Sequence, residues 1–336
     1  MKSTQNKPTP QKLKPFLALI EARLINSLFI IALLGGIGLA LSWFGRHHWL
    51  LDLISHFQGQ FSITFSSLAL LFLLRRRWRF GLITTSFAII SISQLFPYYV
   101  TPTAQSTSQT PELKVASWNV LTSNTNYETA IDSIQQLNPD VLLLMEVNEE
   151  WTEQLSSIEQ LYPYAITHPR PDNFGIALYS KLPLEDATVF LTDNLPSVHV
   201  QIKHQEIELH FIGTHPLPPI GEQGTEARNA HLQAIAHYIT KLQGEVILAG
   251  DLNTTPFSHS FAKFSKQTSL SDSSIGFGLH PTWLKHNLLF ALPIDHILLS
   301  PGLKATKRKV YGNYGSDHHL VMAHIQPVKY QKTSTL

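Results

Sequence analysis

The stretch at 246–253, VILAGDLN, runs four apolar residues into Gly250 and then presents Asp251 and Asn253. An apolar run this short, bounded by Gly and Asp, predicts a buried strand over 246–249. Gly-Asp-x-Asn is also ordinary turn chemistry, so alone it says only that a strand ends in a carboxylate and an amide. The same layout recurs on both sides of it. A strand is predicted over 114–120, with Asn119 near its end. Another is predicted over 141–147, where a continuous apolar run carrying Glu146 fits a strand buried on both faces. Strands at 176–179, 198–203 and 208–214 follow, the last leading into His215. One at 294–299 begins with Asp295 at its second residue, and Asp317-His318 precede a final strand at 320–325. Two amphipathic helices interrupt the series. The first, 127–137, carries Ile131, Ile134 and Leu137 on one face and stops at Asn138-Pro139. The second, 226–242, has Ala230, Ala234, His237 and Leu242 near one side. Many strands with few helices predict packed sheets flanked by helices, an α/β class.

Groups at strand ends are where a rigid sheet can hold reactive side chains in a crevice. Carboxylates with amides and imidazoles suit an oxygen-liganded divalent ion such as Mg²⁺. Without a cation these carboxylates would repel and raise one another's pKa values. The chain contains no Cys, which excludes a disulfide scaffold, a thiolate zinc site and a cysteine nucleophile.

The first hundred residues are of a different kind. Residues 1–100 carry ten Lys and Arg against two Asp and Glu, whereas 101–336 carry 15 against 22. Uncharged runs cover 24–45, 57–74 and 80–100, the second diluted by Gln58, Gln60 and several Ser. Each is close to the roughly 20 residues a helix needs to cross a bilayer, and none shows a polar stripe at helical spacing. The first run is too long for a signal-peptide core and lacks a small-x-small exit. Three transmembrane helices are therefore expected. Lys2, Lys7, Lys12, Lys14 and Arg23 precede the first, and Arg75, Arg76, Arg77 and Arg79 separate the second from the third. The loop between the first and second has only Arg46, so the basic loops face the cytoplasm and everything after the third span lies outside. The organisation expected is a membrane anchor at 1–100, a Ser/Thr/Pro-rich linker at 101–112, a catalytic domain at 113–328 and a tail at 329–336. That is a multi-pass protein of the cytoplasmic membrane, with its outer domain facing the periplasm or exterior.

Taken in order, SWN ending at Asn119, LLLME ending at Glu146, FGIALYSKLPL, IGTH ending at His215, GDLN, PIDH and GSDH resemble the successive motifs of the endonuclease/exonuclease/phosphatase superfamily, the DNase I-like fold. The resemblance covers about 114–325 and implies a four-layer α/β sandwich. It implies Glu146 as main metal ligand, with Asn119 supporting metal and phosphate and Asp317 a second metal ligand. It implies Asp251 as the group that handles the attacking water and Asn253 as a phosphate contact beside it. His318 would donate to a phosphoryl oxygen, Asp295 would fix its tautomer, and His215 would be the second phosphate-side histidine. The cofactor implied is Mg²⁺ or Mn²⁺. Met145 stands where many members have Gln, and Leu320 where many have Pro; both are expected to be packing changes.

His168, His231, His280 and His319 are read as surface or core residues. Arg170 and Arg228 are either substrate-phosphate contacts or surface ion pairs. The expected activity is hydrolysis of a phosphate ester or pyrophosphate. The acidic outer domain and the nearby bilayer favour a lipid-linked substrate over nucleic acid, whose non-specific binding relies on Lys and Arg. The layout also resembles the membrane-bound branch of the superfamily associated with glycopeptide resistance, with its proposed polyprenyl pyrophosphate substrate. The alternatives are an extracellular nuclease on the same scaffold and a non-catalytic membrane binding protein.

Overall fold

In the computed structural model, residues 10–100 and 111–328 are described, apart from Lys285, His286 and Leu288. The tail expected at 329–336, and all but two residues of the linker expected at 101–112, lie outside the described residues. The chain opens with four helices: α1 (Pro10–Ser42), α2 (Trp49–Ser55), α3 (Gln58–Leu74) and α4 (Trp78–Tyr99). Their mutual core is small, centred on Leu39, Phe65 and Ala88, while Ile30, Leu34, Ile63, Leu70, Leu82 and Ile89 point outward. Helices apolar on their outer faces suit an apolar surrounding. By length and composition α1 and α4 are fit to cross a membrane. The run at 57–74 differs from the expectation of a plain span. It is a 17-residue helix preceded by α2, the two bent by 61°, and only together do they amount to a third candidate.

The remaining chain folds into two six-stranded sheets. The first comprises β1 (Leu113–Asn119), β2 (Val141–Met145), β3 (Tyr164–His168), β4 (Ile176–Ser180), β11 (Leu303–Val310) and β12 (Val321–Pro327), in the order β11-β12-β1-β2-β4-β3. The second comprises β5 (Glu185–Thr192), β6 (Leu195–His204), β7 (Ile207–Thr214), β8 (Glu245–Asp251), β9 (Ser271–Asp272) and β10 (Asp295–Leu299), in the order β5-β6-β7-β8-β10-β9. Alternate residues of the central strands pack between the sheets, among them Val115, Leu143, Leu178, Val200, Phe211 and Ile247. The other faces are covered by helices. Over the first sheet lie α5 (Tyr127–Leu137) and α6 (Glu149–Leu155), with Ile134 and Trp151 packed on Trp118 and Leu144. Over the second lie α7 (Gly221–Ile239) and α8 (His259–Thr268), with Leu232, Ile235 and Phe264 packed on Ile212 and Leu248. The central strands are thus covered on both faces, which is why their sequences read as unbroken apolar runs.

Register sets the site. β1 and β2 run parallel with Asn119 opposite Met145, so Glu146 is the next residue out. β8 and β10 run antiparallel with Asp251 directly opposite Asp295. The end of β8 also passes so close to β7 that a Cβ on Gly250 would sit 1.9 Å from the Thr214 carbonyl oxygen, at a φ of +152°. Only glycine fits there, which explains the residue that precedes Asp251.

Candidate active site

The ends of β1, β2, β8 and β10 bring Asn119, Glu146, Asp251 and Asp295 into one buried crevice, with His215 and His318 from the adjoining loops. Asn119 joins the sheets: its Nδ2 donates to Glu146 Oε1 at 2.8 Å and lies 3.5 Å from Asp251 Oδ2. Glu146 adopts φ 61°, in the left-handed region, and is fixed by Thr122, whose N–H donates to Oε2 at 3.3 Å and whose hydroxyl donates to the Glu146 carbonyl at 3.0 Å. Asn253 is also left-handed, at φ 48°. Such conformations are held by surrounding structure and concentrate at functional sites.

Asp251 Oδ2 lies 3.5 Å from the Nε2 atoms of both His215 and His318. On the far side of its ring, His318 donates from Nδ1 to Asp295 Oδ2 at 2.9 Å. Its loop is tied to β1 because the Ser316 hydroxyl donates to the Asn119 carbonyl at 2.7 Å and accepts from the His318 N–H at 3.0 Å. Burial would depress the His318 imidazolium, but the Asp295 and Asp251 carboxylates outweigh it and hold its pKa at about 10. His215 is raised too: burial works against its charge, and contact with Asp251 and Glu146 overcomes it. For Asp251 burial opposes ionisation, while His318 and His215 draw its pKa below the ordinary carboxylate value. A carboxylate between two imidazoles, one of them backed by a second carboxylate, can hold or move a proton at Asp251 and donate one from His318 Nε2.

Of the other expected residues, Asn253 donates from Nδ2 to the Pro216 carbonyl at 3.0 Å, and its own N–H donates to Asp251 Oδ1 at 2.9 Å. Asp317 is not brought into the group, because its Oδ2 accepts the Trp283 indole N–H at 3.0 Å. Met145 is buried, and its sulfur accepts the Asp251 N–H at 3.0 Å, so it supports the neighbouring strand end. Leu320 is core beside Trp118. His231 pairs with the Thr214 hydroxyl and His319 donates to the Tyr311 carbonyl, in line with their non-catalytic reading.

The arginines depart from the sequence reading. Arg170 is spent on both oxygens of Asp172 and on the Asn194 carbonyl. Arg228 is neither a free phosphate contact nor a surface pair: it is fully buried, 3.1 Å from Asp52 Oδ2, and donates to the Asn253 carbonyl at 2.8 Å. Asp52 belongs to α2 and also accepts the His259 N–H at 2.7 Å, while His56, just beyond α2, accepts the Thr255 N–H at 3.1 Å. The N-terminal helices therefore grip the loop carrying Asn253. Sequence reasoning missed this seam, since its partners stand 176 residues apart with no local pattern to join them. It also missed Arg308, the buried middle of Lys307-Arg308-Lys309, whose charge acts on Asp272 and Asp295.

Asp295 Oδ1 and His215 Nδ1 are buried without a hydrogen-bond partner, and ligand atoms of Asp251, Asp295 and His318 lie within 4.8 Å of one another. Adding Glu146, three buried carboxylates share one crevice, an oxygen-rich donor set that a hard divalent cation fits.

A sequence profile of the endonuclease/exonuclease/phosphatase family matches residues 116–318. The chain belongs to this family. It is accordingly a phosphoric ester hydrolase of a family whose enzymes use divalent metals. The fold is shared with solved structures. Danio rerio TDP2, crystallised with a single-stranded DNA product, superposes with a TM-score of 0.55 at 17% identity, over 64% of this chain and 99% of that one. The human nocturnin catalytic domain with bound sulfate gives 0.53 at 17%, over 65% and 96%. A functionally unknown conserved protein from Enterococcus faecalis V583 gives 0.54 at 17%, over 64% and 100%. No curated protein matches the sequence.

Proposed function

We propose that the chain is a membrane-anchored, Mg²⁺-dependent phosphoesterase that hydrolyses a lipid-linked phosphate ester or pyrophosphate outside the cytoplasmic membrane. The observation that carries this reading is the seam. α2, which follows α1 and leads through a 61° bend into α3, is bonded through Asp52 and His56 to the loop of Asn253. This bond supports a crevice on the side of the membrane reached after α1, where three crossings would also put it. Arg46 is the single basic residue between α1 and α2, whereas Arg75, Arg76, Arg77 and Arg79 cluster past the other end of α3, a bias that supports this orientation.

The roles follow from the geometry. Glu146, with Asn119 and Asp251 beside it, would hold the cation, which supplies charge neutralisation to the phosphoryl oxygens when bound. Asp251 orients the attacking water and takes up its proton. His318, held in one orientation by Asp295, donates from Nε2 to the phosphoryl group, while His215 and Asn253 position it. Phosphoryl transfer needs alignment and electrostatic stabilisation above all, and this set provides both. The arginines support the lipid reading over a nuclease. With Arg170 and Arg228 paired and Arg308 buried, the guanidiniums that would track a nucleic-acid backbone are otherwise occupied.

The test is a substrate panel on the full chain in proteoliposomes: polyprenyl pyrophosphate, phospholipid, a bis-aryl phosphodiester and DNA, each with Mg²⁺ or EDTA. Mg²⁺-dependent phosphate release from polyprenyl pyrophosphate is expected. Cleavage of DNA with both lipid substrates untouched would overturn the reading.

A further inference from the structure

Beside the crevice lies a cavity of about 450 Å³, within the size range of small-molecule sites. Leu53 and Phe57, on and just beyond α2, form one wall, and Ile220, Phe290, Leu292 and Ile294 of the sandwich form the other. The polar residues at its inner end, Asn253 and Trp283, border the reactive group: the Trp283 ring stands 6.4 Å from that of His318, between centroids. At the outer end Ile220 is 81% exposed and Phe290 50% exposed, the Phe290 ring meeting Phe57 edge to face across the cavity mouth. The Pro-rich loop after His215, whose Pro216 carbonyl holds Asn253, also places Pro218, Pro219 and Ile220 along this wall. The α2 wall runs on into α3, whose Ile63, Leu70 and Leu74 are exposed along the apolar helical region.

We propose that this cavity receives the hydrocarbon chain next to the scissile phosphate, leading it from the bilayer along α2 and α3 to Asn253. The proposal rests on the reading of a lipid-linked substrate and adds where the lipid lies. The occupant is the substrate's own chain because the cavity opens at one end on the phosphate-handling residues and at the other on the apolar helices. An apolar surface in that position, rimmed by polar groups, marks a ligand groove.

Two experiments on the full-length protein in detergent micelles test it. In the first, KM is compared between a long-chain polyprenyl pyrophosphate, a diacylglycerol phosphate and a short, water-soluble isoprenyl pyrophosphate. Ile220→Asn and Phe290→Ser, both at exposed positions, are expected to raise the ratio of long-chain to short-chain KM at least tenfold. The long-chain substrate more affected identifies whether the chain is isoprenoid or acyl. An unchanged ratio, with all substrates altered alike, would overturn the proposal. In the second, the protein is photolysed with a long-chain alkyl monophosphate bearing a diazirine near the phosphate, and the adducts are mapped. Adducts within 53–57, 218–221 or 290–294 are expected; labelling confined to the outer faces of α1 and α4 would overturn the proposal. Adducts in the cavity without lipid hydrolysis uphold the site and defeat the lipid-phosphatase reading. Hydrolysis with adducts elsewhere does the reverse.

Discussion

The crevice and the seam behind it are both built from buried carboxylates facing basic side chains, yet they differ in what is left over. At the seam the charged groups close on the protein: Asp52 accepts from Arg228 and from the His259 N–H, and Arg228 also donates to the Asn253 carbonyl, so that the atoms left without a partner are only an imidazole nitrogen of His56 and the Thr255 hydroxyl. In the crevice Asp295 Oδ1 and His215 Nδ1 have no protein partner, and the Asp251 carboxylate has imidazole nitrogens no nearer than 3.5 Å. A buried carboxylate oxygen without a partner is costlier than a neutral group left so, and its persistence points to something that arrives there. A closed ion pair is scaffold, and isosteric apolar groups can replace it.

This contrast can be broken by substitution. Asp251→Asn should have the largest effect on rate, a loss of about 10²–10⁴-fold, the usual scale for a general base. Substrate affinity should fall much less, since the loss is felt mainly in the transition state. If steady-state kinetics show that Asp251→Asn mainly raises KM, Asp251 is a binding residue and the contrast loses its centre. Asp295→Asn should come next, at about 10–10²-fold. His318, held charged up to about 10 by Asp295 and Asp251, would lose its nearest stabilising charge while burial remained. The alkaline limb of the pH–rate profile should then move to lower pH. A limb that stays in place would show that His318 is not the group titrating there.

The seam should respond in stability more than in chemistry. Asp52→Ala leaves Arg228 buried without its counter-ion, and breaking a buried pair costs about 3–5 kcal/mol. Thermal unfolding of the full chain should show that drop, and Asp52→Leu combined with Arg228→Met should recover most of it. No such recovery is open to Asp251 with His318. A double variant as unstable as the single one would mean that the seam is more than scaffold. The smallest effect belongs to Arg170→Ala, where a partly exposed pair with Asp172 is lost and the rate should stay within about twofold.

Legibility in the sequence followed the same division. The helix expected at 127–137 has those bounds, and the central strands lie within a few residues of their expected places, because apolar runs and Gly/Pro/Asn stops are local signals. β3, β5, β9 and β11 carry no such signal. Tyr164–His168 is short, and EDATVFLT and LKATKRKV lie on sheet edges with mixed polarity, where the partner strand supplies the pattern. The polar helix His259–Thr268 was likewise hidden. The crevice residues could be picked out because each stands beside a strand end. Asp317 stood beside His318 in sequence, yet its side chain turns to Trp283, which sequence position alone cannot show. The Asp52–Arg228 contact is purely tertiary and left no trace in either segment.

A divalent cation held at Glu146 is what the chemistry of the partly unpaired carboxylate crevice requires above all. The most direct test is phosphate release by full-length protein stripped with EDTA and titrated with Mg²⁺, alongside Glu146→Gln, which keeps the shape and removes the charge. No release is expected before Mg²⁺ is added, with full recovery for the wild type and no recovery for Glu146→Gln although it remains folded. Undiminished release in EDTA, or equal recovery by Glu146→Gln, would contradict this requirement.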